Sequence, residues 1–172
     1  MLKNIRLILL IPTILIITKT DVEYYQITYY TNNTQPIVII KENIEELPIG
    51  ILEIPKINLT KEFYKYESKN NNINKTIKLL NNEYPNKLNG NLIIASHSGN
   101  NYNAYFKNLH KLNVNDFVNI YYDGIEYNYK VTNIYKIKKT GYAHIIRDNS
   151  KNTLTLITCI GKNEQLIYIA EK

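Results

Sequence analysis

The 172-residue sequence contains one cysteine, Cys159, one methionine and no tryptophan. A single cysteine excludes a disulfide bond within the chain, and the three histidines form no Cys/His cluster with the spacing of metal ligands. No acidic cluster resembles a calcium site either. We therefore predict no metal ion and no cofactor, which leaves an unpaired thiol whose purpose the rest of the sequence has to explain.

Concentrated positive charge is also missing. The formal net charge is +6, yet no run of five or six lysines and arginines occurs. Nucleic-acid grooves typically interleave basic clusters with aromatic residues, so we predict no nucleic-acid partner. A mildly basic surface fits anionic envelope polymers or lipid headgroups, although solvated lysines alone account for the same charge.

The amino-terminal segment joins two basic residues to a short apolar run. Lys3 and Arg6 precede the uncharged residues 7–17, an order typical of a secretion signal or signal anchor. No A-x-A-like cleavage site follows, which favours an uncleaved single-pass anchor over residues 1–20, and the charges place the rest of the chain outside the cell. The run is shorter than the about 20 residues of a full span, so an internal amphipathic helix is the alternative. Residues 21–47 are predicted to form an extracytoplasmic stem.

Farther along, short apolar β runs alternate with turn residues. Asp123-Gly124 between two such runs indicates a hairpin, and apolar residues at helical spacing predict two minor helices over 74–85 and 102–112. Together the pattern predicts a mainly β fold: a small closed barrel of seven or eight strands with one or two short helices. The predicted strands are 50–59, 62–66, 90–96, the two runs within 116–137, 152–159 and 165–172.

His97 follows a predicted strand, Cys159 ends another, and each precedes a loop. Strand-terminal residues can meet at one rim of a barrel, where loops carry function. A free thiol, with a pKa of about 8.5, is a poor nucleophile until a neighbouring imidazole activates it, and that imidazole can then protonate a leaving amine. A core cysteine and a surface-loop histidine are the alternatives.

The other polar residues near this pattern are less informative. Ser98 adjoins His97, but neighbours in sequence cannot easily face each other, and no G-x-S-x-G motif occurs. A serine hydrolase is therefore not favoured. His110 is predicted to lie on a helix and His144 in a loop, neither with a catalytic role.

Four segments resemble, in order and spacing, the sortases, which are cell-wall and pilin transpeptidases of Gram-positive-type bacteria. The segments are PIGILEIPKINL, GNLIIASHSGNNYNAYFKNLHKL, DFVNIYYDGIEYNYKV and TLTLITC. The resemblance covers residues 48–172. Its most specific element is the TLxTC pattern with a histidine 62 residues upstream, after an apolar strand. Classes B and D are the most similar.

The resemblance implies a cysteine transpeptidase on an eight-stranded β-barrel, with residues 48–172 as the catalytic domain. Cys159 would attack a backbone carbonyl in a sorting signal similar to LPxTG and form an acyl-thioester. His97 would protonate the departing amine and then assist attack by a peptidoglycan or pilin amine. The enzyme is expected to be a monomer that acts on proteins with a C-terminal sorting signal. Water in place of the amine would make it a hydrolytic cysteine peptidase.

The sequence departs from the family pattern at one functional position. In sortases an arginine on the last strand holds the substrate or its oxyanion, and here Gln165 stands in that place. Arg147, the only arginine outside the amino-terminal segment, reaches Cys159 only if the preceding loop folds back. A neutral amide donates a hydrogen bond about half as strong as a charged group. Three alternatives follow: a slow transpeptidase that uses Gln165, one that uses Arg147, and a catalytically impaired module that binds envelope peptides.

Overall fold

The computed structural model describes residues 46–172 and, nearer the amino terminus, the backbone of two strands, β1 (Tyr24–Tyr29) and β2 (Ile37–Glu42). These strands pair antiparallel in a two-stranded sheet, within the predicted stem. The predicted anchor over residues 1–20 lies outside the described residues. In the segments that are described, no helix is long and apolar enough to cross a membrane.

Eight further strands make up one sheet in residues 46–172. They are β3 (Gly50–Ile54), β4 (Leu59–Phe63), β5 (Lys78–Leu79), β6 (Asn91–Ala95), β7 (Phe117–Tyr122), β8 (Ile125–Lys138), β9 (Thr153–Ile160) and β10 (Glu164–Glu171). Their order in the sheet is β4-β3-β7-β8-β10-β9-β6-β5. All neighbours are antiparallel except β6 and β9, which run parallel, so the carboxyl-terminal ends of these two strands lie at the same rim.

The sheet curls until its two edges share one core. Phe63 of β4 and Leu79 of β5 are both fully buried, in the same apolar cluster as Leu156 of β9. Across the remaining gap, the Thr76 hydroxyl donates to the backbone carbonyl of Glu62 at 2.8 Å. Small barrels close in this way, by filling one interior with side chains from all of their strands. The predicted eight-stranded barrel is confirmed.

Strand β9 has buried residues on both of its faces. Leu154 and Leu156 belong to the barrel core. Ile157, the next residue, belongs to a smaller apolar cluster on the other face of the sheet. This cluster is here called the outer cluster (Ala95, Ile157, Ile167 and Ile169). Because side chains alternate along a strand, Cys159 lies on the same face as the outer cluster.

The hairpin between β7 and β8 has the two-residue turn predicted for it. Tyr122 pairs with Ile125, and Asp123 and Gly124 have φ angles of 53° and 73°. A tight hairpin turn of type I′ requires positive φ at both positions, which aspartate tolerates and glycine favours. The predicted hairpin is confirmed.

The helix predicted over 74–85 is wrong, since this segment contributes β5 instead. The Asn71 side chain accepts from the Leu79 N–H at 2.7 Å and donates to the Leu79 carbonyl at 3.0 Å. These two bonds and the pairing of β5 with β6 hold the segment extended. Tertiary contacts thus override the helical spacing of its apolar residues.

The helix predicted over 102–112 is also wrong, because the segment is a series of turns with one 3₁₀ turn, Leu109–Lys111. Its fully or almost fully buried residues, Phe106, Leu109 and Leu112, are three positions apart. The N–H groups of Leu109 and Leu112 bond three residues back. A spacing of three matches the three residues per turn of a 3₁₀ helix better than the 3.6 of an α-helix.

Gly50, at the start of β3, is a position where the barrel wall has no room for a side chain. A Cβ there would overlap the Phe63 ring and the Tyr121 carbonyl oxygen. We expect Gly50→Ala to lower the free energy of unfolding by about 1–3 kcal/mol, the usual cost of overpacking, measured by urea denaturation of the full-length chain. Gly99→Ala serves as the control, because a Cβ at Gly99 would meet no atom within 4 Å. Equal stability of the two variants would contradict the close approach.

Candidate active site

The parallel pairing of β6 and β9 brings His97 and Cys159 to neighbouring positions. Ala95 of β6 pairs with Ile157 of β9 at the end of the parallel ladder. His97 lies two residues after Ala95, and Cys159 lies two residues after Ile157. Both side chains are half-buried. Three bonds tie the two segments together: the Ser96 N–H to the Ile157 carbonyl at 3.3 Å, the Thr158 hydroxyl to the Ser96 carbonyl at 2.8 Å, and the Ser98 hydroxyl to the Cys159 carbonyl.

Cys159 and His97 line the same cleft, of about 570 Å³, here called the polar cleft. Nε2 of His97 donates to Oδ1 of Asn74 at 3.3 Å, which leaves Nδ1 as the basic nitrogen of the neutral ring. The Cys159 thiol and the His97 imidazole, which both lie in the part of the chain that the structure describes, share no direct hydrogen bond. Catalytic hydrogen bonds are often long in unliganded sites and tighten when substrate binds. The other lining residues are Ser98, Gly99, Asn101, Asn103, Ala104 and Gly161.

The loop that follows His97 is held in place by its own backbone and by the barrel. The Phe106 N–H donates to the His97 carbonyl at 2.9 Å. Deeper in the core, the Tyr168 hydroxyl donates to the Leu109 carbonyl at 2.8 Å, and burial raises the pKa of Tyr168 to about 12. Asn103 donates to the Asn74 carbonyl at 3.4 Å. These bonds hold the loop after His97 in place, and Asn103 joins it to Asn74, the residue that the imidazole of His97 contacts.

Gln165 lies directly opposite Cys159. The two residues are cross-strand partners in the antiparallel pair of β9 and β10, and both are half-buried. Opposed residues in such a pair project from the same face with Cβ atoms about 4.5–5.5 Å apart. Among the described residues the Gln165 amide has no hydrogen-bond partner. Its N–H groups are therefore available to an anion that forms next to Cys159.

Arg147 lies at the other end of β9. Its guanidinium donates to the Thr153 hydroxyl at 3.3 Å and to the carbonyls of Asn89 at 3.2 Å and Lys151 at 3.3 Å. Thr153 begins the strand and Cys159 is near its end, which separates them by about 20 Å at 3.3 Å per residue. The guanidinium of Arg147 is therefore engaged at the opposite rim, and the preceding loop does not fold back toward Cys159.

A second cleft, of about 290 Å³, also borders Cys159. It shares Ser98 and Gly161 with the polar cleft. His110, which the sequence placed on a helix, is exposed in the 3₁₀ turn and lines this cleft. The remaining lining residues are Phe106, Lys107, Thr158, Ile160 and Leu166.

Sequence reasoning did not single out Asn74 or Lys107. Asn74 lies in an asparagine-rich run that resembles an ordinary polar loop, and Lys107 is one of many scattered lysines. Nothing in the sequence pattern marks either of them. His144 is an exposed loop residue, as predicted, and its carbonyl accepts from the Tyr135 hydroxyl at 3.1 Å.

Several solved structures are similar to this chain. Sortase C1 from Streptococcus agalactiae is 26% identical, with a TM-score of 0.62, and the match covers 72% of this chain and 66% of that one. The sortase D5 transpeptidase of Clostridium perfringens is 22% identical, with a TM-score of 0.61 over 72% and 78%. The match to sortase C1 combines a similar fold with sequence similarity, whereas the match to sortase D5 shows a similar fold alone. Since relatives of classes A, C and D all match, the expected class B or D is not assigned.

The sequence itself matches a known family over most of its length. Among curated proteins, sortase A of Bacillus anthracis is 26% identical over 112 residues, which is 65% of this chain and 52% of that protein. The chain therefore spans about half the length of this relative. The family model of the sortase domain matches residues 52–172. On that match, the chain belongs to the sortase family.

Proposed function

We propose that this chain is a cysteine transpeptidase with Cys159 as the nucleophile and His97 as the general acid and base. The observation that carries the proposal is that the two residues lie at the carboxyl-terminal ends of neighbouring parallel strands and line one cleft. Single-cysteine sites with an adjacent imidazole suit acyl transfer, because the thiolate attacks and the imidazole moves the proton. The family membership of the chain supports the same chemistry.

In the first half-reaction, the Cys159 thiolate attacks the carbonyl carbon of a backbone amide in an LPxTG-like sorting signal. The proton that the thiol releases passes to His97, and from there to the amide nitrogen as the carbon–nitrogen bond breaks. The products are an acyl-thioester on Cys159 and a free amine. A site that holds its acid within reach of the breaking bond gains about 10²–10⁴ in rate.

In the second half-reaction, an amine from peptidoglycan or a pilin attacks the thioester carbonyl. The carbon–sulfur bond breaks, the amine loses a proton to His97, and that proton returns to the thiolate. Gln165 donates to the oxyanion in both tetrahedral intermediates, from its place opposite Cys159. Because an amide is a weaker donor than a guanidinium, the enzyme works slowly compared with one that carries an arginine.

The proposal includes a location. Residues 1–20 act as a single-pass signal anchor, and residues 21–47 act as an extracytoplasmic stem. Residues 48–172 form a monomeric catalytic domain of class B or D on the outer face of the cell membrane. The order of basic residues and apolar run supports the anchor. An enzyme tethered there meets both secreted proteins that carry a sorting signal and the envelope amines that accept them.

The test is mass spectrometry of the full-length chain mixed with LPxTG-like peptides, with and without triglycine. We expect an acyl adduct that is absent from Cys159→Ala and that moves to triglycine when this acceptor is added. Circular dichroism checks that the alanine variant is folded. Hydrolysis without transfer would indicate a cysteine peptidase. Peptide binding by the folded wild-type chain without any adduct would indicate a binding module, with the arginine-to-glutamine departure as its cause.

A further inference from the structure

Residues 74–76, here called the seam segment, run from the polar cleft to the edge of the barrel. Asn74 lines the cleft and accepts from Nε2 of His97 at 3.3 Å. Two residues later, the Thr76 hydroxyl donates to the Glu62 carbonyl of β4 at 2.8 Å. The segment is a turn that belongs to no strand, so contacts from neighbouring segments help to set the point where Asn74 meets the imidazole.

Tyr105 makes one of these contacts from the loop that follows His97. Its hydroxyl donates to the Lys75 carbonyl at 3.0 Å, and its half-buried ring packs against the barrel core. The Lys61 ammonium of β4 lies 4.8 Å from the centre of that ring, within the range of a cation–π interaction. Tyr105 therefore joins three parts of the molecule, which are the loop after His97, the seam segment and the edge strand β4.

The contact between Asn74 and His97 decides which ring nitrogen carries the proton. A neutral imidazole has one N–H, and a carbonyl oxygen opposite Nε2 keeps the proton on that nitrogen. Nδ1 is then the lone-pair nitrogen that takes the proton of the Cys159 thiol in the first half-reaction. Without the contact the ring adopts either tautomer, and a ring with its proton on Nδ1 cannot act as a base through that nitrogen.

We propose that Tyr105 is a positioning residue for this reaction. Its hydroxyl holds the seam segment so that Asn74 keeps the proton of His97 on Nε2. The inference rests on the proposed function and adds to it a residue that touches neither the substrate nor the reacting atoms, since Tyr105 lines neither of the two clefts at Cys159. Its effect on the rate of acylation therefore passes through Asn74.

A double-mutant cycle separates positioning from a general loss of stability. We expect Tyr105→Phe, which removes only the hydroxyl, to slow single-turnover acylation of the full-length chain by an LPxTG-like peptide about threefold to tenfold, the effect of one neutral hydrogen bond. In an Asn74→Ala background the same change should bring no further loss, because the two residues act in series. Losses that multiply would overturn the proposal. Tyr102→Phe is the matched control, since Tyr102 lies in the same loop and is 90% exposed, and it should leave the rate unchanged.

The tautomer of His97 can be measured without any turnover. The chain has three histidines, so nitrogen NMR of the neutral rings in the folded full-length chain is readily assigned with His110→Ala and His144→Ala. We expect wild-type His97 to carry its proton on Nε2, and Tyr105→Phe, unlike Tyr102→Phe, to move part of the population to Nδ1.

Failure of this inference is distinguishable from failure of the proposed function. A wild-type ring with its proton on Nδ1, or a tautomer population that Tyr105→Phe leaves unchanged, would reject the role of Tyr105 while the transpeptidase stands. If no thioester forms with any peptide, the proposed function fails, and the tautomer populations of wild type and Tyr105→Phe still decide whether Tyr105 positions the imidazole.

Discussion

His97→Ala is expected to lower the rate of thioester formation by about 10²–10⁴, which is the contribution of a positioned acid and base. Without the imidazole, the thiol loses its proton acceptor and the leaving amine loses its proton donor. Asn74, which accepts from Nε2 at 3.3 Å, remains but cannot replace it, because an amide is neither an effective acid nor an effective base at neutral pH. The measurement is single-turnover formation of the acyl adduct, followed by mass spectrometry.

The matched control is His144→Ala, which removes an exposed loop histidine instead. It should leave the rate within twofold of wild type. Thermal unfolding of both variants would show whether they are equally well folded. A folded His97→Ala chain that reacts within tenfold of wild type would falsify the assignment of His97 as acid and base.

Gln165→Ala should lower the same rate by about 10²–10³, the usual result of removing one oxyanion donor. The change leaves the cross-strand backbone pairing with Cys159 intact and takes away only the amide. Gln165→Arg should act in the opposite direction, with a gain of about tenfold, because a charge-assisted hydrogen bond is roughly twice as strong as a neutral one. The two substitutions at position 165 are thus expected to change the rate of adduct formation in opposite directions.

Glu164→Ala provides the control for both variants at Gln165. Glu164 is the preceding residue of β10 and is exposed, and its side chain lies on the opposite face because strands alternate. Its removal should not change the rate of adduct formation. If Gln165→Ala reacts as fast as wild type, the oxyanion is stabilised by another group, and the arginine variant should then bring no gain.

The parts of the fold that depend on local chemistry are predictable from the sequence. The hairpin at Asp123-Gly124 follows from the need for positive φ, and β6 follows from a short continuous apolar run, which is typical of a strand buried on both faces. The TLxTC pattern and the strand-terminal His97 were enough to suggest one catalytic pair. Each of these signals lies within a short stretch of the sequence.

The parts that depend on distant contacts are not predictable in this way. The extended conformation of β5 is imposed by the Asn71 amide and by β6, and neither is visible in the spacing of residues 74–85. The position of Arg147 depends on acceptors at the far rim. The second cleft exists because a loop before β7 and a turn after β9 meet beside Cys159. The periodicity of apolar residues in a sequence contains no information on such contacts between distant segments.

The parallel pairing of β6 and β9 has a consequence for how the enzyme acquires activity during folding. His97 and Cys159 are 62 residues apart, and β9 lies between β6 and β10 in the finished sheet. Contacts that close such large loops form slowly, and folds rich in them take milliseconds to seconds. No fragment containing only one of these strands holds both reacting groups. Recovery of transpeptidation during refolding should therefore lag behind the appearance of local β structure. The rate of that recovery would report how fast the barrel closes.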